Sequence, residues 1–316
     1  MPRAGRRGRG APWRAWCTDI SPLQAALIAP TASFLAAPSP LFSARVPAQR
    51  VGARPALRRD SLALRMALPS VDVAPHIEFL NTVAKGRTHP REQQLQLFAQ
   101  ILSLRGHAPA DPADRKALHP FMVPVTKHTD TGQITGLLYD INSDPSAPPQ
   151  VVRTAAGGGP GLELVSPSLD FQVKRLAIEE DFKGSHEAAD VVAAATANGL
   201  LIDAGAAKAS SLGLERYLLV NAGPTLDLYT WLVADWLSKD KTEEALITCA
   251  RAARQPVLQD WGATHLLHSD SLSRVGEMRG DDRRLEARDC ARAALQLPLW
   301  SSGARVQVRT SKSKCR

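Results

Sequence analysis

His186, Glu187 and Asp190 stand as His-Glu-x-x-Asp, which departs at its last position from the His-Glu-x-x-His helix that binds zinc. Aspartate can ligate zinc, yet no third ligand follows, and the start of an amphipathic helix explains the run better. His265 and His268 are three apart and could chelate together, but no carboxylate or cysteine lies in register with them. Residues 157–161, Gly-Gly-Gly-Pro-Gly, suggest a phosphate loop without its Gly-Lys-Ser/Thr ending. Pro160 also removes an amide donor, so the run reads as a flexible hairpin loop. Glu179, Glu180 and Asp181 crowd three carboxylates toward a helix C-terminus, where the dipole disfavours them; a solvated acidic face is the commoner outcome. There is no paired CxxC, no GxSxG and no dinucleotide fingerprint, so no catalytic residue, metal site or cofactor is assigned.

One charged surface carries a sharper expectation. Arg284, Arg288 and Arg292 recur at helical spacing, with Glu286 and Asp289 between them. A solvated, salt-bridged face accounts for this pattern. The alternative is a docking surface for an acidic peptide or another anionic partner.

The elements that position these groups centre on residues 226–256, two amphipathic helices joined by a charged turn. Tyr229, Leu232, Val233, Trp236 and Leu237 fall on one stripe of the first helix. Asp240 is expected to cap the second, with Glu243 at the reciprocal capping-box position. Ala245, Cys249, Ala252 and Ala253 give that helix a small-residue face, and Pro256 ends it. Residues 286–298 echo residues 244–256 at a spacing of 42, with Ala287, Ala291 and Ala294 followed by Pro298. Cys249 and Cys290 head the CARAA segment of each copy and read as small structural residues.

Over residues 224–300, roughly a quarter of the chain, this arrangement resembles the tetratricopeptide repeat, a helix-turn-helix unit of about 34 residues. Tyr229, Leu232 and Trp236 match its first helix, and Ala245, Cys249 and Ala252 its second; Pro256 comes one residue early. Val233 replaces a small residue of the family pattern, and the spacing of 42 departs from 34. The resemblance implies stacked hairpins that bind a protein partner. The block from His119 to Asp140 also resembles uncharacterised plastid proteins of plants and algae, to which no function attaches.

Upstream, Val73 to Lys85 places Ile77, Leu80 and Val83 at spacings of three, and Thr88 to Leu104 forms a second helix with Thr88 as N-cap and Gly106 as stop. Asp111 to Leu118 suggests one short helix. From Phe121 the period changes to that of strands: two runs flank a turn at Asp130 and Gly132, and Val151–Thr154 and Leu162–Val165 form a weaker pair. An antiparallel sheet of three or four strands over 120–166 is expected, leaning on helices on either side. Helices return with Ser168 capping residues 169–182, then residues 185–201 and 214–220.

The formal charge of +8 sits at the ends. Residues 1–66 hold eleven Arg, no Lys and two acids, so residues 67–316 carry −1 and the body 67–300, without its basic tail, −6. An acidic body disfavours a nucleic-acid surface, and no nucleic acid is expected as a partner. The Arg-, Ser-, Ala- and Pro-rich leader has the composition of an organelle transit peptide. Prolines break its uncharged stretch into pieces far shorter than the ~20 apolar residues of a membrane span, so no transmembrane segment is expected, and peripheral membrane contact stays open. Plastid import, to the chloroplast stroma, is favoured over the mitochondrion.

The expected architecture is α+β and mainly α. It comprises a transit peptide (1–66), N-terminal helices (67–119), a small antiparallel β module (120–166), a helical domain with tetratricopeptide-like hairpins (167–300) and a disordered basic tail (301–316). The expected function is an imported interaction or assembly factor. The alternatives are an enzyme with Glu179, Glu180 and His186 between the sheet and residues 168–200, or an RNA-binding helical-repeat protein.

Overall fold

The computed structural model describes residues 68–140, 143–159 and 161–303. The leader and the tail beyond Gly303 lie outside them. The described part is α+β, with a five-stranded antiparallel sheet in strict chain order: β1 (His107–Pro109), β2 (Met122–His128), β3 (Ile134–Leu138), β4 (Gln150–Thr154) and β5 (Glu163–Ser166). The expectation of three or four strands within 120–166 misses β1. Gly106, at φ +79°, ends the preceding helix and turns the chain so that His107–Pro109 can pair with Thr126–His128.

The sheet is buried on both faces, which explains its consecutive apolar pairs. Val123, Leu137 and Val151 face one core and Met122, Leu138 and Val152 the other. Gly136 is required on β3: a Cβ there would run into the carbonyl of Val123 and the Met122 side chain beside the β2 bulge.

The first face is covered by α1 (Ala74–Val83), α2 (Glu92–Leu104), α3 (Leu169–Lys183) and α4 (Ala188–Ala197). Leu95, Phe98 and Ile101 of α2 are fully buried against Val173 and Ala177 of α3. The stripe expected on α1 is only partly inward, since Leu80 is buried while Val83 is 53% exposed. Thr88 does not cap α2. Its backbone N–H and hydroxyl instead bond the carbonyls of Pro145 and Ser146, and the helix starts four residues later. Residues 111–118 form turns rather than a helix.

After short helices α5 (Ala206–Ala209) and α6 (Leu214–Asn221), the second face is covered by α7 (Leu226–Ser238), α8 (Thr242–Ala253), α9 (Gly262–Arg279) and α10 (Arg284–Gln296). These pack in sequence as two helical hairpins. The α7–α8 turn uses a different device from the capping box: Asp240 takes φ +57°, its side chain caps nothing, and Glu243 pairs with Arg279 on α9. The packed chain also runs past 300. A 3-10 turn at Leu299–Ser302 buries Ser301 and Ser302, and the Ser301 hydroxyl accepts from the Gly262 amide, so the tail expected from 301 begins inside the fold. No helix among the described residues is long and apolar enough to cross a membrane.

Candidate functional site

The seam between the N-terminal helices and α7 is built from charge. Arg175 sits one turn before Glu179 on α3, and its Nε donates to that carboxylate at 2.8 Å. Its Nη1 donates to Asp227 at 3.0 Å, and its Nη2 donates to the other Asp227 oxygen. Arg105, at the end of α2, donates to Glu179 at 2.7 Å and to Glu180 at 2.9 Å. Burial opposes the charge on both Arg175 and Asp227, but their mutual hydrogen bonds and attraction outweigh it. The Asp227 carboxyl is therefore held below its usual range and the Arg175 guanidinium above its own. The run Glu179, Glu180 and Asp181 is accordingly not a bare acidic face: three cations engage the first two, and Asp181 accepts the Gly205 amide at 2.7 Å.

Two cavities meet at this seam and share Arg153, Glu163 and Asp227 as a common wall. The larger is a cleft of about 570 Å³ between the β4–β5 loop and α7. Its lining is largely apolar; Leu226, Trp231, Ala234 and Ala263 contribute, and Trp231 remains 38% exposed. The smaller, about 170 Å³, is polar and holds Arg105, His107, Gln172, Arg175 and Glu179. Burial, aided by the nearby His128, Arg153 and Arg105 charges, pushes the His107 imidazole down to about 4, so it is neutral at neutral pH.

The glycine-rich loop forms the cleft's rim, but two of its amides are committed: Gly158 donates to Ala155 and Gly159 to Ala117, each at 3.1 Å. A phosphate cradle would need those donors free. The glycine at 158 serves close packing, because a Cβ there would collide with the Ala117 carbonyl.

The other chemistry-bearing residues are dispersed. Glu179 lines the polar cavity, whereas Glu180 and His186 do not, and His186 is exposed before α4. His265 Nε2 donates to the Gln259 carbonyl, 2.9 Å away. His268 lies 3.6 Å from Cys290; burial lowers the imidazole pKa and raises the thiol pKa, which leaves a neutral pair without thiolate character. Cys249 is buried and donates to the Ser271 hydroxyl at 3.2 Å, its thiol pushed up to about 11 by burial. Among the described residues no cluster of three His, Cys, Asp or Glu side chains could hold a metal.

In the hairpins, Tyr229 of α7 is buried in the same cluster as Ala245, Cys249 and Ala252 of α8, while Leu232 and Trp236 are half-buried. Trp236 also carries Arg216 and Lys241 over its ring, at 5.0 and 5.1 Å. Ala287 and Ala294 of α10 face inward, Ala291 is half-buried, and the Ser269 hydroxyl of α9 donates to the Ala287 carbonyl at 2.8 Å. Arg284, Arg288 and Arg292 lie on the opposite, exposed side. Arg292 pairs with Asp289 at 3.3 Å and Arg284 only loosely with Asp282 at 3.9 Å; Leu285 and Leu295 beside them are 63% and 65% exposed.

Sequence reasoning missed the cleft and the seam. The Arg175–Glu179 pair was readable as an i,i+4 contact, but Asp227 is 52 residues away and only folding brings it near.

Residues 74–221 match the family model described as PAB N-terminal, and residues 226–314 match PAB middle domain. The stretch that resembles tetratricopeptide repeats thus falls mostly within the PAB middle match. A curated protein of Arabidopsis thaliana, "Protein IN CHLOROPLAST ATPASE BIOGENESIS, chloroplastic", is 26% identical over 230 residues, 72% of this chain. The chain spans 65% of that relative's length. No solved structure matches. The break between the two family matches falls between α6 and α7, so the bond from Arg175 to Asp227 and both cavity walls cross it.

Proposed function

We propose that this chain is a chloroplast assembly factor that acts in ATPase biogenesis by holding a protein partner against its C-terminal helical hairpins. The observation that carries the reading is the similarity to the Arabidopsis protein of ATPase biogenesis over 230 residues, beside the N-terminal and middle family matches that follow in order along this chain. The chloroplast is its place, where the composition of the leader and the relative agree.

Two surfaces suit a partner. The cleft crosses the seam and offers an aromatic wall at Trp231 beside the Arg153–Glu163 ion pair and the Asp227 carboxylate, which Arg175 holds from behind. The outer face of α10 offers Arg284, Arg288 and Arg292 interleaved with exposed Leu285 and Leu295. Exposed aromatic and Arg side chains are the residue types that dominate protein interfaces energetically. Packing of α7 to α10 as two helical hairpins supplies the rigid support.

The test is removal of the protein from a chloroplast, followed by measurement of assembled ATPase on native gels and of subunit synthesis by pulse labelling. Loss of assembled complex with continued subunit synthesis supports the reading. Normal accumulation of the complex would sink it.

A further inference from the structure

α10, the last α-helix among the described residues, packs with its small side chains inward and its leucines outward. It buries Ala287 and Ala294, while Leu285 and Leu295 stand 63% and 65% exposed, with Leu299 beyond them at 64%. A helix that closes a stack of hairpins ordinarily turns a polar face to water. We propose that this outer face docks an amphipathic helix of the partner, about three turns long, whose apolar stripe is flanked by Asp or Glu. The proposal rests on the assembly-factor reading and gives the chemistry of the partner at one of its surfaces.

Leu285, Arg288, Arg292 and Leu295 recur at i, i+3, i+7 and i+10, so they form one row, about 15 Å long at 1.5 Å per residue. Such spacing is how one helix anchors on another. The row is held in place from behind, because the Ser269 hydroxyl of α9 donates to the Ala287 carbonyl and both inward alanines are buried. Ion pairs within the chain leave the row cationic. Arg292 has Asp289 at 3.3 Å, Arg284 has only Asp282 at 3.9 Å, and Arg288 makes no ion pair among the described residues.

Charge selects the occupant. Residues 1–66 hold eleven Arg against two acids, and residues 304–316 hold five cations and no acid, so neither end of this chain suits a row of arginines. A second copy would lay one arginine row on another, and like charges in contact cost affinity. Nucleic acid would leave the leucines in water. A helix that lies on a lipid surface keeps its cations on the polar face, away from the apolar one. Here Arg288 and Arg292 stand between Leu285 and Leu295, so immersing the leucines would drag both guanidiniums below the headgroups. An acid-flanked apolar helix satisfies leucines and arginines together.

The experiment puts the photo-crosslinker p-benzoylphenylalanine in place of Leu295 in the full chain and, in a second preparation, in place of Trp231. Each is irradiated in lysed chloroplasts, and the adducts are sequenced by mass spectrometry. At position 295 the expected adduct is one protein segment with apolar residues three and four apart and Asp or Glu beside them. Arg284→Glu, Arg288→Glu and Arg292→Glu together should lower its yield by about tenfold or more, and Lys in place of the segment's acids should restore it. These positions are exposed, so an unchanged melting temperature is expected alongside the loss. An adduct with lipid, with a second copy of this chain or with a segment lacking acids would overturn the proposal, as would a yield that charge reversal leaves unaltered. Adducts at position 231 with none at 295 would sink this inference and leave the assembly-factor reading standing; that reading falls only if the ATPase accumulates normally without the protein.

Discussion

Asp227, the second residue of α7, receives both Nη atoms of Arg175 from α3 while its Oδ1 also accepts the Thr225 hydroxyl at 2.6 Å. One carboxylate thereby ties the start of the C-terminal helices to the N-terminal layer. Because Glu179 bridges Arg175 to Arg105, the tie extends through α3 to the end of α2. The cleft lies directly above this chain of charges, so its shape depends on it.

Breaking the pair should loosen the seam. Asp227→Ala and Arg175→Ala are each expected to cost about 1–3 kcal/mol, with the larger loss for Asp227→Ala, which leaves the more buried guanidinium short of an acceptor. A double-mutant cycle by urea denaturation should return a coupling energy above about 0.5 kcal/mol. Additive single effects would mean that the pair contributes nothing of its own.

Trp231 should matter for partner binding and little for stability, because it is 38% exposed on the cleft wall. Trp231→Ala is expected to abolish co-purification of ATPase subunits with a melting temperature within about 2–4 °C of the parent, as for a loss below roughly 1 kcal/mol. Charge reversal at Arg284, Arg288 and Arg292 probes the α10 face in the same way. Whichever variant keeps its subunits absolves its surface.

Mild acid should destabilise the fold through histidines that burial holds neutral. His107 is held down to about 4 chiefly by burial, and His76, His89, His119 and His268 move in the same direction for the same first reason. Between the unfolded value of about 6.5 and the folded value, the unfolded chain binds more protons than the native one. Stability is therefore complete above pH 6.5 or so and falls as pH drops toward 4. Chemical denaturation at pH 7.5 and pH 5 checks this, and His107→Gln should flatten the difference.

Cys249 should resist alkylation in the folded protein, since its thiol is buried and raised to about 11. Of the two described cysteines, iodoacetamide should label Cys290 first, slowly, and Cys249 only after unfolding, as read by mass spectrometry. Rapid labelling of Cys249 would require a fold that opens around α8.

Gly136→Ala should be among the most damaging single changes. The added methyl has no room beside the Val123 carbonyl, and a backbone atom cannot step aside as a flexible side chain can. Loss of the cooperative thermal transition is the expected outcome; retention of the parent's melting curve would contradict the β2–β3 register.

Local periodicity made much of this legible in the sequence. The stripe from Tyr229 to Leu237, the Ser168 cap of α3 and the Gly106 stop of α2 each depend on contacts within a few residues, and each was readable. The helical pairs at 226–256 and 261–296 followed from the same local signals. The capping box at Asp240 and Glu243 failed because Asp240 takes φ +57° and the N-cap falls on Lys241, which puts Glu243 one position too early; its carboxylate pairs with Arg279 instead. Thr88 failed as a cap as well, its groups being taken by Pro145 and Ser146.

What the sequence determined alone, then, was the class of each element and the existence of hairpins, because spacing of apolar and small residues sets which face of a helix or strand must be buried. Tertiary structure decided where the elements meet. β1 is three residues long and has no periodicity to announce it; it is a strand because β2 offers an open edge. The cleft exists because folding brings the β4–β5 loop and α7 together from separate parts of the chain. Asp227 is one acid among thirty-one Asp and Glu until folding sets it against Arg175, and the free energy of that pair belongs to a distance that no local pattern encodes.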